Sequence, residues 1–405
     1  MNKSLKSTPH LTAALASFIL LTMGLAGFVS YARSLERRYA NALAPLNLPL
    51  TYYGIAIQRA AIQKPDLLPV FGGSELTLLD NLYEANNFFR NYPTGFSVFE
   101  VANLGSSSIT LAQDLAAVGP DLRGKRIVIS ISPADFTMGD FPAPFYKGNY
   151  SRLHAYALIF SPYLSMHIKA AAAQSMLLHP ETLTNDPFLK FTLDQMVASR
   201  LGRAFYYLLW PLGELQMQIM YIQDHAAVVS LIKEGDIRPH VQHIPQVIDW
   251  AGIHAIALEK QKTHASNNPL GIEDSKWFVY SHVLSRPIHP GSGDKRFMVR
   301  VLSHPEWSDF QILLNVLREL GAQPLILSRP MNVHLWEALG VSEQAQNTYY
   351  VKLHQMVEPY QIPVIDMHQY GTDTYFSIDL GSHTSREGWV YVDQILDDYY
   401  HGRIP

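Results

Sequence analysis

The sequence predicts an α/β fold: a parallel sheet flanked by helices, behind an N-terminal transmembrane helix and interrupted by a helical insert. Three observations lead there. Residues 11–32, "LTAALASFILLTMGLAGFVSYA", contain no charged side chain. Short apolar runs bounded by glycine or proline then alternate with helical patterns near both ends of the remaining chain, as strands covered on both faces require. Residues 137–285 lack that rhythm and are rich in Ala, Leu, Met, Tyr and His, which reads as helical.

The chain has 405 residues, of which 48% are hydrophobic, enough to bury a large core. Charged residues make up 16% and the formal net charge is −4, which offers no electrostatic case for a nucleic-acid partner. There is no cysteine. Disulfides, thiolate metal sites, cysteine catalysis and a lipoprotein attachment point are therefore excluded.

Taken in order, residues 11–32 would rise about 33 Å as a helix, which matches a bilayer's hydrocarbon core. A cleaved signal peptide has an apolar region of only about 7–15 residues, so an uncleaved anchor over 1–32 is expected. Lys3 and Lys6 precede the span and Arg33, Arg37 and Arg38 follow it, so basic residues do not decide its orientation. Residues 33–66 read as a short helical stalk ending near Pro65, and 67–405 as the α/β domain, its insert at about 140–285.

Strands are expected at "LLPVF" (core 68–71), within "FSVFEVANLGSSS" (96–108) and within "GKRIVISISPADF" (124–136). Ser303 is expected to cap a helix whose buried face carries Trp307, Phe310, Leu313, Leu314, Leu317 and Leu320, with Gly321 ending it. "PLILS" (324–328) and "IPVIDM" (362–367) are further strands, separated by a helix from about 343 to 358. A last helix starts near Thr384.

In parallel sheets, functional residues collect at the carboxyl ends of the strands. Ser74 follows the first strand, Gly105 the second and Ser132-Pro133-Ala134-Asp135 the third. Near the C-terminus, "SIDLGSHTSREGW" sets Asp379 and His383 on one Gly-Ser loop. A serine hydroxyl becomes a nucleophile when an imidazole takes its proton and a third group orients that imidazole. Backbone N–H groups at glycine turns can hold an oxyanion. Each residue also has a plainer role open to it: Ser74 as a helix N-cap, His383 as a loop histidine, Asp379 as a charge favourable to a helix N-terminus. His240 and His243 have one-turn spacing but no accompanying metal motif, and no metal or cofactor is expected. The Met and Tyr stripe of 203–222 reads as core or partner contact rather than a membrane-lying face, because Pro211 and Gly213 interrupt it.

The combination resembles the DltD family, the membrane-anchored D-alanine transfer proteins of teichoic-acid D-alanylation. The resemblance rests on the N-terminal anchor, "LPVFGGSEL", "NLGSSS", "ISPADF", "HPEWSDFQILLNVLRELGAQPLILSRPMN" and "SHTSREGWVYVDQ". It implies an SGNH-hydrolase-like, flavodoxin-like three-layer fold outside the cytoplasmic membrane. It also implies Ser74 as acyl-accepting nucleophile and His383 as its base, with N–H groups of Ser74 and Gly105 as the oxyanion hole. Gly73, Glu75, Gly105 and Ser132 are the expected oxyanion and substrate-binding residues. The implied partners are a membrane-bound O-acyltransferase, the D-alanyl carrier protein and a cell-surface polymer.

Two departures matter. The family motif usually reads Asp-x-x-His, whereas Asp379 precedes His383 by four positions, with "LGS" between them to absorb the extra residue. Asp373 and Asp366 therefore stay open as orienting acids. The family's usual serine after the first glycine is Gly73 here. In one respect the chain agrees with the family, which generally lacks the block-three asparagine of SGNH enzymes: "SPADF" likewise offers none, and one oxyanion donor fewer suits slow transfer better than fast hydrolysis. The expectation is acyl transfer through Ser74. The alternatives are an esterase using the same site and a non-catalytic scaffold of the D-alanylation machinery.

Overall fold

β-Branched and aromatic residues concentrate where the strands form. In the computed structural model, which describes residues 9–46, 48–76, 81–139, 143–238, 244–284, 286, 288–379 and 383–404, five strands make one parallel sheet. They are β1 (Leu67–Gly72), β2 (Ser97–Ala102), β3 (Arg126–Ile131), β4 (Gln323–Ser328) and β5 (Val364–Ile365), in the order β2-β1-β3-β4-β5. The expected α/β architecture is the observed one.

Period-two alternation sends the strand side chains to two separate cores. Phe71, Phe99, Ile127, Ile129 and Ile326 face one, while Val70, Val98, Val128, Leu325 and Leu327 face the other. Full burial of such a side chain contributes about 1.5–3 kcal/mol, so the two faces fix the register of every strand. Pro69 has no N–H to give, and the ladder to β3 begins only after it, at Val70. β5 is shorter than expected, because Met367 adopts a left-handed backbone (φ 47°) and ends the extended run.

The helices that bear on function are α1 (Pro9–Leu43), α2 (Ala56–Ile62), α3 (Ser108–Val118), α4 (Arg200–Glu234), α5 (Trp250–His264), α6 (Glu306–Leu320), α7 (Glu343–Val357) and α8 (Arg386–Tyr400). α3 and α6 cover one face of the sheet; α5 and α8 cover the other. Between Ala134 and Leu284 every regular element among the described residues is helical. One sequence expectation fails here. Ser303 closes the preceding helix, its Oγ donating to the Val299 carbonyl at 2.8 Å, and α6 starts three residues later behind Pro305 without a side-chain cap. Pro305 sets the start of α6 because its ring fixes φ and needs no partner for a missing N–H.

α1 is one continuous helix of 35 residues. Its most apolar stretch has a mean hydropathy of 2.0 and none of it is buried, so the chain has a helix long and apolar enough to cross a membrane. Farther along the same helix, Ala40 and Leu43 are wholly buried in the domain core. α4, also 35 residues, runs alongside it in the opposite sense: Lys233 lies over the Tyr31 ring, and His225 Nδ1 meets Glu36 Oε1 at 2.6 Å. α4 passes through Pro211 without ending. The Met and Tyr stripe divides: Tyr206, Met217 and Tyr221 are core, whereas Leu208, Leu212 and Leu215 are exposed.

Asp224 of α4 ties these helices to the domain. Its Oδ2 accepts from the N–H groups of Ile55 and Ala56, at 2.8 and 2.7 Å, at the start of α2. Those donors are buried and have no intrahelical partner. Asp224→Ala leaves both unsatisfied, and the expected loss is about 1–3 kcal/mol, read by urea unfolding of the detergent-solubilised protein.

Candidate active site

The order β2-β1-β3 makes β1 the place where the sheet's winding changes direction. In doubly wound sheets ligands bind outside the carboxyl ends of the strands at such a point. Ser74 stands there, two residues past β1, half-buried in a short 3-10 turn.

His383 arrives from the opposite end of the chain. A bridge between Ser377 and Thr384, closed by Ile378 N–H donating to the His383 carbonyl at 3.0 Å, folds 377–384 back on itself. That fold brings Asp379 beneath His383. Asp379 Oδ1 accepts the His383 backbone N–H at 3.2 Å, and its Oδ2 makes a close contact with His383 Nδ1. The other ring nitrogen, Nε2, lies 3.1 Å from Ser74 Oγ. The four-residue spacing is therefore compatible with pairing; Leu380, Gly381 and Ser382, between the two, lie outside the described residues, as do His240 and His243.

Asp373 and Asp366 are engaged elsewhere. Asp373 Oδ1 accepts the Tyr375 N–H at 3.0 Å. Asp366 pairs with His354 at 2.8 Å and accepts the His368 N–H at 3.1 Å. The cleft of about 730 Å³ that Asp366 lines, between α7 and β5, shares no residue with the Ser74 site. Asp379 is the carboxylate of the three that faces His383.

Burial disfavours the His383 imidazolium, but the hydrogen bond and charge of Asp379 outweigh it, with Glu75 adding, and the pKa rises above its ordinary 6.5. The side chain of Asp379 is 8% exposed and that of His383 21%, so the carboxylate is shielded while the imidazole remains reachable.

Glu75 is buried, and its carboxylate curls back beneath the turn to accept the Gly73 N–H at 3.0 Å. The two glycines follow from this. A Cβ on Gly72 would lie 2.6 Å from Glu75 Oε1, and one on Gly73 2.9 Å from Oε2. With the Gly73 N–H engaged by Glu75, the Gly105 N–H is the candidate oxyanion donor that hydrogen-bonds to nothing among the described residues. Gly105 has φ +75°, and a Cβ there would sit 2.7 Å from the Phe145 ring, so only glycine fits. Ser132 is buried, and its Oγ accepts the Ala134 N–H at 3.1 Å, a turn-forming role.

Two comparisons with known proteins bear on this arrangement. A family model described as DltD protein matches residues 51–401. The chain belongs to the DltD family. It is 26% identical over 376 residues to Protein DltD of Bacillus subtilis (strain 168), covering 93% of this chain and 91% of that one. It is 22% identical over 360 residues to Protein DltD of Staphylococcus aureus (strain NCTC 8325 / PS 47), covering 86% and 85%. Protein DltD of Lacticaseibacillus rhamnosus is 23% identical over 335 residues, with 81% and 76% covered.

Two residues of this DltD chain were not singled out from sequence. Arg329, just past β4, is buried with its guanidinium over Trp389, 4.7 Å from the ring centroid, and its three nitrogens hydrogen-bond to nothing among the described residues. Burial pulls its pKa down to about 10, against the opposing charges of Glu75, Asp393, Glu100 and Glu84. Glu306, at the start of α6, accepts the Ser108 N–H at 2.6 Å, and burial raises its pKa to about 8. It thereby holds the start of α3, immediately behind the Gly105 loop. A charged residue at the edge of an apolar run was the available signal for both.

His383 must be neutral to take a proton. Labelling of Ser74 by a serine-reactive phosphonate should rise with pH, with its midpoint above 6.5. Asp379→Asn removes the charge that favours the imidazolium, so the midpoint should move to lower pH while the plateau rate falls. Gly72→Ala should slow labelling at every pH, because its Cβ displaces Glu75 or the turn.

Proposed function

We propose that this DltD protein is a membrane-anchored acyl-transfer enzyme of the SGNH-hydrolase-like class. It esterifies hydroxyls of a cell-surface polymer with D-alanine, the polymer being teichoic acid or a similar glycopolymer. The observation that carries this reading is Ser74 Oγ at 3.1 Å from His383 Nε2, with His383 Nδ1 held by Asp379.

In the first half-reaction, Ser74 Oγ attacks the carbonyl of the incoming acyl group and its proton passes to His383 Nε2. The oxyanion lies against the Gly105 and Ser74 N–H groups. Collapse expels the donor's leaving group, which takes the proton from His383, and leaves D-alanyl on Ser74. In the second, a polymer hydroxyl attacks that ester, gives its proton to His383 and departs as the new ester, while Ser74 recovers a proton. Asp379 keeps the tautomer and steadies the imidazolium throughout. The family resemblance supports an extracytoplasmic domain that receives D-alanine through the membrane-bound O-acyltransferase of the Dlt system and its carrier protein. α1 would be the anchor.

Ser74→Ala and His383→Ala should each abolish polymer D-alanylation in cells while the protein still accumulates in membranes. The double variant should be no worse than either single one, because residues acting as a unit are not additive. Asp379→Asn should lower the rate by up to about ten-thousandfold, as loss of the orienting acid does in a serine triad. Normal acylation with Ser74→Ala would make the protein a scaffold. Release of free D-alanine from acylated polymer, without transfer, would make it an esterase.

A further inference from the structure

A second site lies where α1 leaves the apolar span. Arg33 and Arg37 of α1, Arg59 and Gln63 of α2 and its end, Asp121, and His225 of α4 line a cleft of about 260 Å³. Its acidic groups are already engaged. Asp121 takes Arg59 Nε on one oxygen at 2.5 Å and Gln63 Nε2 on the other at 3.1 Å. Glu36, buried, is paired with the equally buried His225. Arg33 and Arg37, one turn apart and exposed, form no ion pair among the described residues. The cleft therefore presents two uncommitted guanidiniums over a floor whose carboxylates already have partners, an arrangement that favours a phosphate.

Its height selects the source of that phosphate. The uncharged stretch ends at Ala32, and Arg33 and Arg37 stand about 1.5 and 7.5 Å farther along the helix. A bilayer's headgroup layer is about 5–7 Å thick on each side, so Arg33 falls within it, and Arg37, at its outer edge, has a side chain that leans back toward it along the helix. Tyr31, half-exposed, and Lys233, 5.4 Å from its ring centroid, mark the same level from α1 and α4, as residues at a membrane interface do.

We propose that this cleft binds the phosphate of an anionic lipid headgroup, Arg33 and Arg37 holding its oxygens, and so seats the domain on the membrane surface. The proposal rests on α1 being the membrane anchor, and it is independent of the chemistry at Ser74.

The test is native mass spectrometry of the detergent-solubilised full chain with phosphatidylglycerol added. Wild type should retain the lipid, and the Arg33→Gln/Arg37→Gln double variant should bind it at least about tenfold more weakly. Arg38→Gln removes one of the same charges from the same helix outside the cleft and should bind as wild type does. Equal binding by wild type and the double variant overturns the site. So does an equal loss with Arg38→Gln, which would mean general charge attraction. Displacement of the lipid by equimolar glycerol phosphate overturns the lipid assignment in favour of a free anion. Carbonate-washed membranes separate the two premises: a chain retained there but indifferent to phosphatidylglycerol loses the site and keeps the anchor. A chain released as soluble loses both.

Discussion

The carboxylate of Glu75, folded beneath the Gly72-Gly73 turn, is the contact on which the candidate active site depends. It fixes the turn through the Gly73 N–H and excludes a Cβ from both glycines. A buried carboxylate is costly unless its charge is answered. Here the answer comes from Arg329, whose own burial would otherwise drive its charge away, and whose pKa stays near 10 because Glu75, Asp393, Glu100 and Glu84 surround it. Burial pushes the carboxyls of Glu84, Glu100 and Asp393 up as well. The turn that carries Ser74 thus rests on a buried charge balance, with Trp389 stacked beneath the guanidinium.

The same contact reaches His383. Glu75 adds its charge to that of Asp379 in favouring the imidazolium of His383, and it adds to the desolvation that pushes the carboxyl of Asp135, after β3, up. Residues from the ends of β1, β3 and β4 and from the segment before α8 are therefore coupled electrostatically at one mouth of the sheet. This follows from topology: the winding reverses at β1, and the loops that leave β1 and β3 cannot fill the gap between them. α8 closes the far side of the sheet and α6, through Glu306, the near side.

Much of this was legible in the sequence because the signals were local. The apolar run at 67–71, those within 96–108 and 124–136, and the run at 324–328 have the period and bounds of buried strands, and a strand forms in each. Ser74, His383 and Asp379 were legible from residue type and loop position, and they meet. What stayed hidden was non-local. The reason for two glycines is a side chain two or three positions on that turns back on them, and the charge partner of Glu75 lies more than 250 residues away. Ser303 misled for the opposite reason. Serine is a good cap in isolation, but the chain was already helical there and Pro305 defined the next start.

Continuity of α1 changes how the site would meet the membrane. A flexible tether lets a domain wander over a range set by its length. In this chain the helix that carries the apolar span already has buried residues at Ala32 and Glu36, and it enters the domain core at Ala40 and Leu43. From Ala32 to Leu43 the helix rises only about 16 Å, and α4 packs along it over that distance. With α1 as anchor, the height and tilt of the domain are set by helix packing and not by a free linker. Ser74, at the end of β1, would then stand at a fixed distance from the bilayer. That geometry suits an enzyme whose acyl donor emerges from a membrane protein, because the donor and Ser74 need not search for each other. It also makes the α1–α4 packing through Glu36–His225, and the Asp224 tie from α4 to the start of α2, part of the positioning of Ser74, although neither approaches His383 or Asp379.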